Sequence, residues 1–256
     1  MHYGICNLSI VPIRIDPSDT SEMVSQLLFG EHFKVLEIRK NWSKIRLAFD
    51  NYEGWIDNKQ YEEITEEIYK SISNSEPKLA GELIDFATNS TKNYLTIVIG
   101  SSLPFYNNQQ LKINNSNFLY EGNVVSGKKP KKLLIEAAYK YLNTPYLWGG
   151  KTPFGIDCSG FTQMVYKLCG YNLMRDAAEQ AGQGEVLSFI EESEPGDLAF
   201  FDNQEGIITH VGIIMKDNYI IHAHGKVRVD RIDHSGIFNL NTHTHTHKLR
   251  VIKKII

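Results

Sequence analysis

Cysteine is scarce in this chain: Cys6, Cys158 and Cys169 are an odd set of three in 256 residues. That argues against a disulfide framework and fits a reducing compartment. Long apolar runs are missing too, since no stretch approaches the roughly 18 residues of a membrane-spanning helix. The opening MHYGICNLSIVPIRID lacks a basic n-region, a clean apolar core and a small-residue cleavage site. We therefore expect a cytoplasmic protein with no membrane partner. Neither sign of charge dominates, and a net charge of −3 gives no basic surface for nucleic acid. No CxxC or HExxH spacing is present, so neither a metal nor a cofactor is expected. What the chain has is 42% hydrophobic residues, enough for one large or two to three small domains with real cores.

One cysteine stands apart. Cys158 lies between Asp157 and Ser159 in GIDCSGF, after WGGKTPFG and before FTQMVYKL. The pattern places it at a helix N-terminus, where backbone N–H groups and the helix dipole favour the thiolate. On this stretch alone, Cys158 reads either as a nucleophile or as a small buried hydrophobe. Asp157 is a preferred N-cap residue for the same helix.

Two histidines bear on that choice: His210 in DNQEGIITHVGIIM and His222 in NYIIHAHG. Both lie in apolar stretches of period two, separated by a turn signal at Lys216, Asp217 and Asn218, and so read as adjacent antiparallel strands. For both rings to share a face, paired residue numbers must sum to an even value, which requires an odd-length loop and excludes a two-residue turn. Opposition of His210 and His222 centres the hairpin on Lys216. The next register centres it on Asp217 and brings His224 opposite His210, so His224 competes for the role of third residue.

The motifs YLNTPYLWGG, DCSGF, the RD of LMRDAAEQ, PGDLAFF, THVGI and IIHA follow in that order from about Lys131 to the C-terminus. With them the chain resembles the NlpC-type, papain-like cell-wall cysteine peptidases. The resemblance implies an α+β fold with a papain-like catalytic domain. It puts the nucleophile on Cys158, the base on His210, the third polar residue on His222 and an oxyanion-site tyrosine on Tyr146. The implied reaction is hydrolysis of amide bonds in peptidoglycan stem peptides.

Taken in order, residues 1–62 alternate short β-like runs with turns and suggest a small antiparallel barrel. The stretch is similar to the bacterial SH3-like domains that precede NlpC-type domains. SEMVSQLLFGE is similar to the first barrel of the YkfC-like subgroup, which acts on small stem-peptide fragments. Residues 63–93 read as an acidic, partly helical connector around the loop-like SISNSEP, and 94–127 as a second, reduced SH3-like barrel. The run Lys128 to Lys132 reads as a solvated linker, and the catalytic domain spans 128–256. Its first helix has Leu134, Ala138 and Tyr141 at helical spacing, and the nucleophile helix has Phe161, Val165 and Leu168 as its buried stripe. PGDLAFF reads as a turn into a central strand. Asp176 and Glu179 have the spacing of a capping box. The tail NTHTHTH reads as a solvated loop that puts His243, His245 and His247 on one side if extended.

The subgroup resemblance adds substrate contacts. Asp157, Ser159 and Asp176 would line the cleft, with Asp176 helping to bind a free N-terminal amine. Ala177 stands where the subgroup usually has serine, which removes a hydroxyl contact but keeps a backbone one. From the first barrel, the resemblance implies a glutamate, assigned to Glu22 ahead of Glu31, and an aromatic, assigned to Tyr61 ahead of Tyr52. The expected function is a monomeric γ-D-glutamyl-L-diamino acid endopeptidase acting on free muropeptides such as L-Ala-γ-D-Glu-diamino acid. A papain-like thiol acyltransferase and a non-catalytic wall-binding protein are the alternatives.

Overall fold

A computed structural model describes residues 2–256. The chain divides into two compact units, the first ending at Gly127 and the second running from Lys128 to Ile256.

The first unit is built from short strands. Seven of them, β1 (His2–Ile5), β2 (Ile10–Arg14), β3 (Met23–Leu28), β4 (His32–Ile38), β5 (Trp42–Leu47), β6 (Glu53–Asp57) and β7 (Glu62–Ile64), form one antiparallel sheet in the order β3-β2-β6-β5-β4-β1-β7. Alternation of side chains sends Val11, Ile13, Phe33, Val35, Ile45 and Leu47 inward to one core. Helix α1 (Glu66–Asn74) follows, capped by the Thr65 hydroxyl, which accepts from the Ile68 amide at 3.3 Å.

The stretch read as a connector is not only that. Within 63–93 lie β8 (Lys78–Ala80) and β9 (Ile84–Asn89). β9 pairs with β10 (Tyr94–Val98) and with β12 (Ser116–Leu119), β12 pairs with β11 (Gln110–Ile113), and β8 pairs with β13 (Val124–Ser126). The second β-module thus begins near Lys78. Its strand signal is diluted by the charges and glycine of KLAGELIDF. Nor does this module have a private core: Tyr3, Ile5, Phe29 and Ile64 from the first sheet cluster with Ala80, Ala87, Ile97, Leu111 and Tyr120.

The second unit is a sheet wrapped beside a buried helix. After α2 (Leu133–Lys140) come the paired short strands β14 (Lys151–Thr152) and β15 (Gly155–Ile156), then α3 (Cys158–Leu168), α4 (Ala177–Gln180) and β16 (Glu185–Leu187). β17 (Leu198–Asp202), β18 (Ile208–Ile214), β19 (Tyr219–His224), β20 (Lys226–Asp233), β21 (Gly236–Asn239) and β22 (Thr244–Lys254) are antiparallel neighbours. Because β21 also pairs with β22, these six close into a barrel with β16 outside it. PGDLAFF accordingly forms a central strand, β17, between β18 and β22.

Leu134, Ala138 and Tyr141 are fully buried, as their helical spacing implies. On α3 burial goes beyond the expected stripe: all eleven residues are buried, including Thr162, Gln163 and Lys167. It packs against β18 and β19. A helix enclosed on every side cannot be read from one apolar stripe.

The histidine tail departs from expectation. Instead of a solvated loop, its second half opens β22, the longest strand of the unit. A bulge between Ile237 and Phe238 disturbs the β21–β22 register there, so His245 and His247 do not share a set of contacts. His245 bonds Asp233 at 2.9 Å, whereas His247 stacks on His210 with ring centroids 4.2 Å apart. Among the described residues no group of histidine, cysteine or acidic side chains is arranged to hold a metal ion. Nor is any helix long and apolar enough to cross a membrane.

Candidate active site

Cys158 is the first residue of α3, with Asp157 as N-cap. The Gly160 amide donates to Asp157 Oδ1 at 2.6 Å, and the Gly149 amide donates to Oδ2 at 2.9 Å. Arg175, 1% exposed, donates from Nη1 to Oδ1 at 3.1 Å and from Nη2 to Oδ2 at 2.7 Å. It also reaches the Ser159 hydroxyl at 3.0 Å. Arg175 thereby clamps the start of the nucleophile helix to the loop before it. A Cβ on Gly160 would stand 2.3 Å from the Gly150 carbonyl oxygen, so this close approach requires glycine.

These bonds change how Asp157 and Ser159 are understood. Expected to line a substrate cleft, both are buried, and their polar atoms are engaged within the chain. Arg175 was missed by sequence reasoning. The signal was the RD motif itself, in which only the aspartate drew attention although an arginine at a buried position needs a carboxylate partner.

His210 lies on β18 and His222 on β19. The strands pair Gly212 with His222, Ile213 with Ile221 and Ile214 with Ile220, which centres the hairpin on Asp217. The loop is odd in length, as face-sharing demands, but the register is the one that aligns His224 with His210. Even so, His222 is the residue that bonds His210: Nε2 of His210 lies 2.8 Å from Nδ1 of His222. The contact is diagonal, from His222 to the residue two before its partner Gly212. The space exists because position 212 has no side chain; a Cβ there would stand 2.9 Å from that of His222. His224 is exposed, with its ring centroid 6.5 Å from that of His210.

The chain of contacts continues on the next strand. β20 pairs Arg228 with His222, and again the contact is diagonal, with Nε2 of His222 3.1 Å from Oδ2 of Asp230. Asp230 Oδ1 accepts from Arg228 Nη2 and from the Leu240 amide, both at 2.9 Å. Asp230 was not anticipated from the sequence; the available hint was an acid within the strand-like KVRVDRID directly after the histidine hairpin.

Electrostatics set the resting state. Burial pushes the Cys158 thiol up to about 12, the Asp157 carboxylate adds to this, and bonding from the Val211 backbone, the Arg175 charge and the Ser159 backbone only partly offset them. Desolvation thus opposes the stabilisation of a thiolate expected from the helix terminus. Burial, followed by His222, His247 and His224, holds His210 well below the usual histidine range. Both shifts favour the neutral forms, thiol and imidazole. Although burial raises Asp230, hydrogen bonds from His222, Leu240 and Arg228 outweigh it and bring the carboxyl down to about 2.

Tyr146 is placed by its amide, which donates to the Gly225 carbonyl at 3.0 Å, and by a parallel bridge to Ile156. Burial and then the Cys158 charge raise its hydroxyl to about 12. Asp176 is the exposed N-cap of α4, but its side chain makes no capping bond, so the expected capping box is not formed. Ala177, the first residue of α4, is buried. In the first unit, Glu22 is exposed just before β3 and its carbonyl accepts from the Ile15 amide at 3.0 Å. Tyr61 is half-buried against the core of its own barrel: its ring meets Phe33 edge-on at 5.3 Å and its hydroxyl lies 3.0 Å from that of Ser43.

Residues 143–246 match the NlpC/P60 family, and residues 13–60 match the bacterial dipeptidyl-peptidase SH3 domain. The chain carries an NlpC/P60 peptidase domain. It is 29% identical over 218 residues to the γ-D-glutamyl-L-lysine dipeptidyl-peptidase of Bacillus subtilis, covering 78% of this chain and 71% of that one. It is 25% identical over 251 residues to the dipeptidyl-peptidase 6 of Lysinibacillus sphaericus, with coverage of 85% and 87%. The fold matches that of an NlpC/P60 family protein from Bacillus cereus with a TM-score of 0.83 at 19% identity, over 99% of both chains. The papain-like α+β architecture behind an SH3-like β-rich region is thus the observed one.

Proposed function

We propose that this chain is a cysteine endopeptidase that hydrolyses the γ-D-glutamyl-L-diamino acid bond in free peptidoglycan stem peptides bearing an unblocked N-terminal L-Ala. The observation that carries the reading is relatedness over most of the chain, SH3-like module included, to enzymes named for the γ-D-glutamyl-L-lysine bond. A cysteine at the start of a buried helix and a buried, hydrogen-bonded histidine pair in the same unit support it and weigh against a wall-binding module. In the cell we place the reaction in the cytoplasm, in murein recycling, carried out by a monomer.

His210 Nε2 is taken by His222, which leaves Nδ1 to serve the thiol. His210 accepts the Cys158 proton as sulfur attacks the carbonyl carbon. The oxyanion is met by the Tyr146 hydroxyl and the Cys158 backbone N–H. His210 then protonates the leaving amine, and water activated by the same ring cleaves the thioester. Asp176, exposed at the start of α4, would offset the desolvation of the substrate ammonium.

Incubation with L-Ala-γ-D-Glu-L-Lys and with its diaminopimelate analogue, free and N-acetylated, tests the reading. Released diamino acid from the free peptides and little from the acetylated ones is expected, with discrimination weakened in Asp176→Asn; Glu22→Gln carries the same test to the first barrel. Equal cleavage of free and acetylated peptide removes the amine requirement. Transfer to an added acceptor amine in preference to water would identify an acyltransferase.

A further inference from the structure

We propose that Asp230 is a positioning residue that fixes the proton map of the two histidines, so that His210 presents a bare Nδ1 to Cys158. The proposal rests on the reading of Cys158 and His210 as nucleophile and base. It follows from which atoms can donate. Asp230 is wholly buried, and Arg228 Nε lies 2.7 Å from its Oδ2, so the carboxylate is ionised and only accepts. His222, also wholly buried, faces that carboxylate with Nε2 at 3.1 Å. A bare Nε2 there would set two lone pairs against each other with no water between them, so the proton is on Nε2.

The next step is forced in the same way. A neutral His222 protonated at Nε2 has a lone pair at Nδ1, and this nitrogen lies 2.8 Å from His210 Nε2. His210 must donate there, which leaves its Nδ1 without a proton and able to take one from the thiol. No proton passes down the chain. When His210 becomes an imidazolium, the anion two strands away supports its charge through the oriented His222 ring. Burial leads in lowering His222, with His224 and Arg228 adding to it, which favours the neutral ring at rest. The other titratable and charged groups acting on this pair are His224 on β19, His247 on β22 and Arg228 beside Asp230 on β20.

The substitution that tests this is Asp230→Asn. Oδ1 accepts hydrogen bonds from both Arg228 Nη2 and the Leu240 backbone amide, whereas Arg228 Nε, though 2.7 Å from Oδ2, makes no aligned hydrogen bond to it, so the asparagine oxygen is held at the Oδ1 position and its NH2 points to His222. His222 must then accept at Nε2, carry its proton on Nδ1 and donate to His210 Nε2, which turns the His210 proton toward the thiol. In wild-type protein with 15N-labelled histidine, NMR should show both His210 and His222 protonated at Nε2 near pH 7.5. In Asp230→Asn both protons should move to Nδ1, with kcat lowered on the order of 10³-fold and KM within a few-fold. Merely structural support of the site would lower stability without moving the protons. An Nδ1 proton on either ring of the wild type overturns the proposal, as does a folded Asp230→Asn with unchanged tautomers or with kcat within threefold of wild type. Should the variant not fold, the wild-type spectrum decides alone. Protons in the stated positions on an enzyme that leaves every stem peptide intact support this proposal and end the substrate reading.

Discussion

A thiol held up and an imidazole held down favour general-base catalysis in the proposed reaction, and each member can be removed separately. Cys158→Ala should lower kcat on the order of 10⁴-fold or more, and His210→Ala nearly as far. His222→Ala should fall by roughly 10²–10³-fold, because an orienting ring contributes less than the groups exchanging the proton. His224→Ala should stay within a few-fold of wild type, since His224 is exposed and His222 makes the bond to the base. Steady-state kinetics on the free tripeptide check the series; a silent His222→Ala with a damaging His224→Ala would exchange their roles. Because burial depresses His210, the acid limb of kcat/KM should lie below pH 6.5. At this scale the sequence was most legible where chemistry demands rare residues in set places: Cys158, His210 and His222. Asp230 and Arg175 were hidden because their function depends on pairing across strands and loops, and an acid or an arginine in isolation carries no such mark.

Between residues and the whole, the helix start and the hairpin do the positioning. Arg175 and Asp157 are a buried ion pair with bidentate geometry, and removing one partner leaves the other charged and desolvated. Arg175→Met should destabilise the fold by about 3–5 kcal/mol, read as a lower urea midpoint at unchanged slope. A cost below about 1 kcal/mol would show that the clamp is not needed to seat α3. The hairpin shows how far pattern can go: parity dictated an odd loop and a shared face, whereas the choice between two registers depended on whether side chains meet directly or diagonally. Gly212 permits the diagonal, which no periodicity displays. Strands β8 and β9 and the strand character of THTHTH escaped for a related reason. Charges, glycines and threonine–histidine alternation look like loop until a partner strand is supplied.

For the whole molecule, the division near Gly127 follows a change from short alternating strands to mixed helix and strand that composition already suggests. The second unit also gathers histidines whose depressed pKa values make stability depend on pH. Burial leads in each case: His210 is held well below 6.5, His222 is lowered despite the opposing pull of Asp230, and His247 comes down to about 4. In the unfolded chain these rings titrate near 6.5. Above that pH both states are neutral there and the full stability is present. Below it the unfolded chain binds protons that the folded one refuses, so stability falls as pH drops toward the folded-state values. The limiting slope is about 1.4 kcal/mol per pH unit for each proton so withheld. Carboxylates depressed by partners, among them Glu53, Asp230 and Asp233, lose their contribution only at lower pH, below ordinary values of 4.5 and 3.8. Between pH 6.5 and 4.5 the loss is therefore a histidine effect. Urea melts followed by circular dichroism should give a midpoint that is level from pH 8 to 7 and falls steadily to pH 5. His247→Gln should flatten the fall while leaving the midpoint at pH 7.5 close to wild type. A midpoint independent of pH across this window would mean that the buried rings accept protons in place, contrary to the desolvated cluster described here.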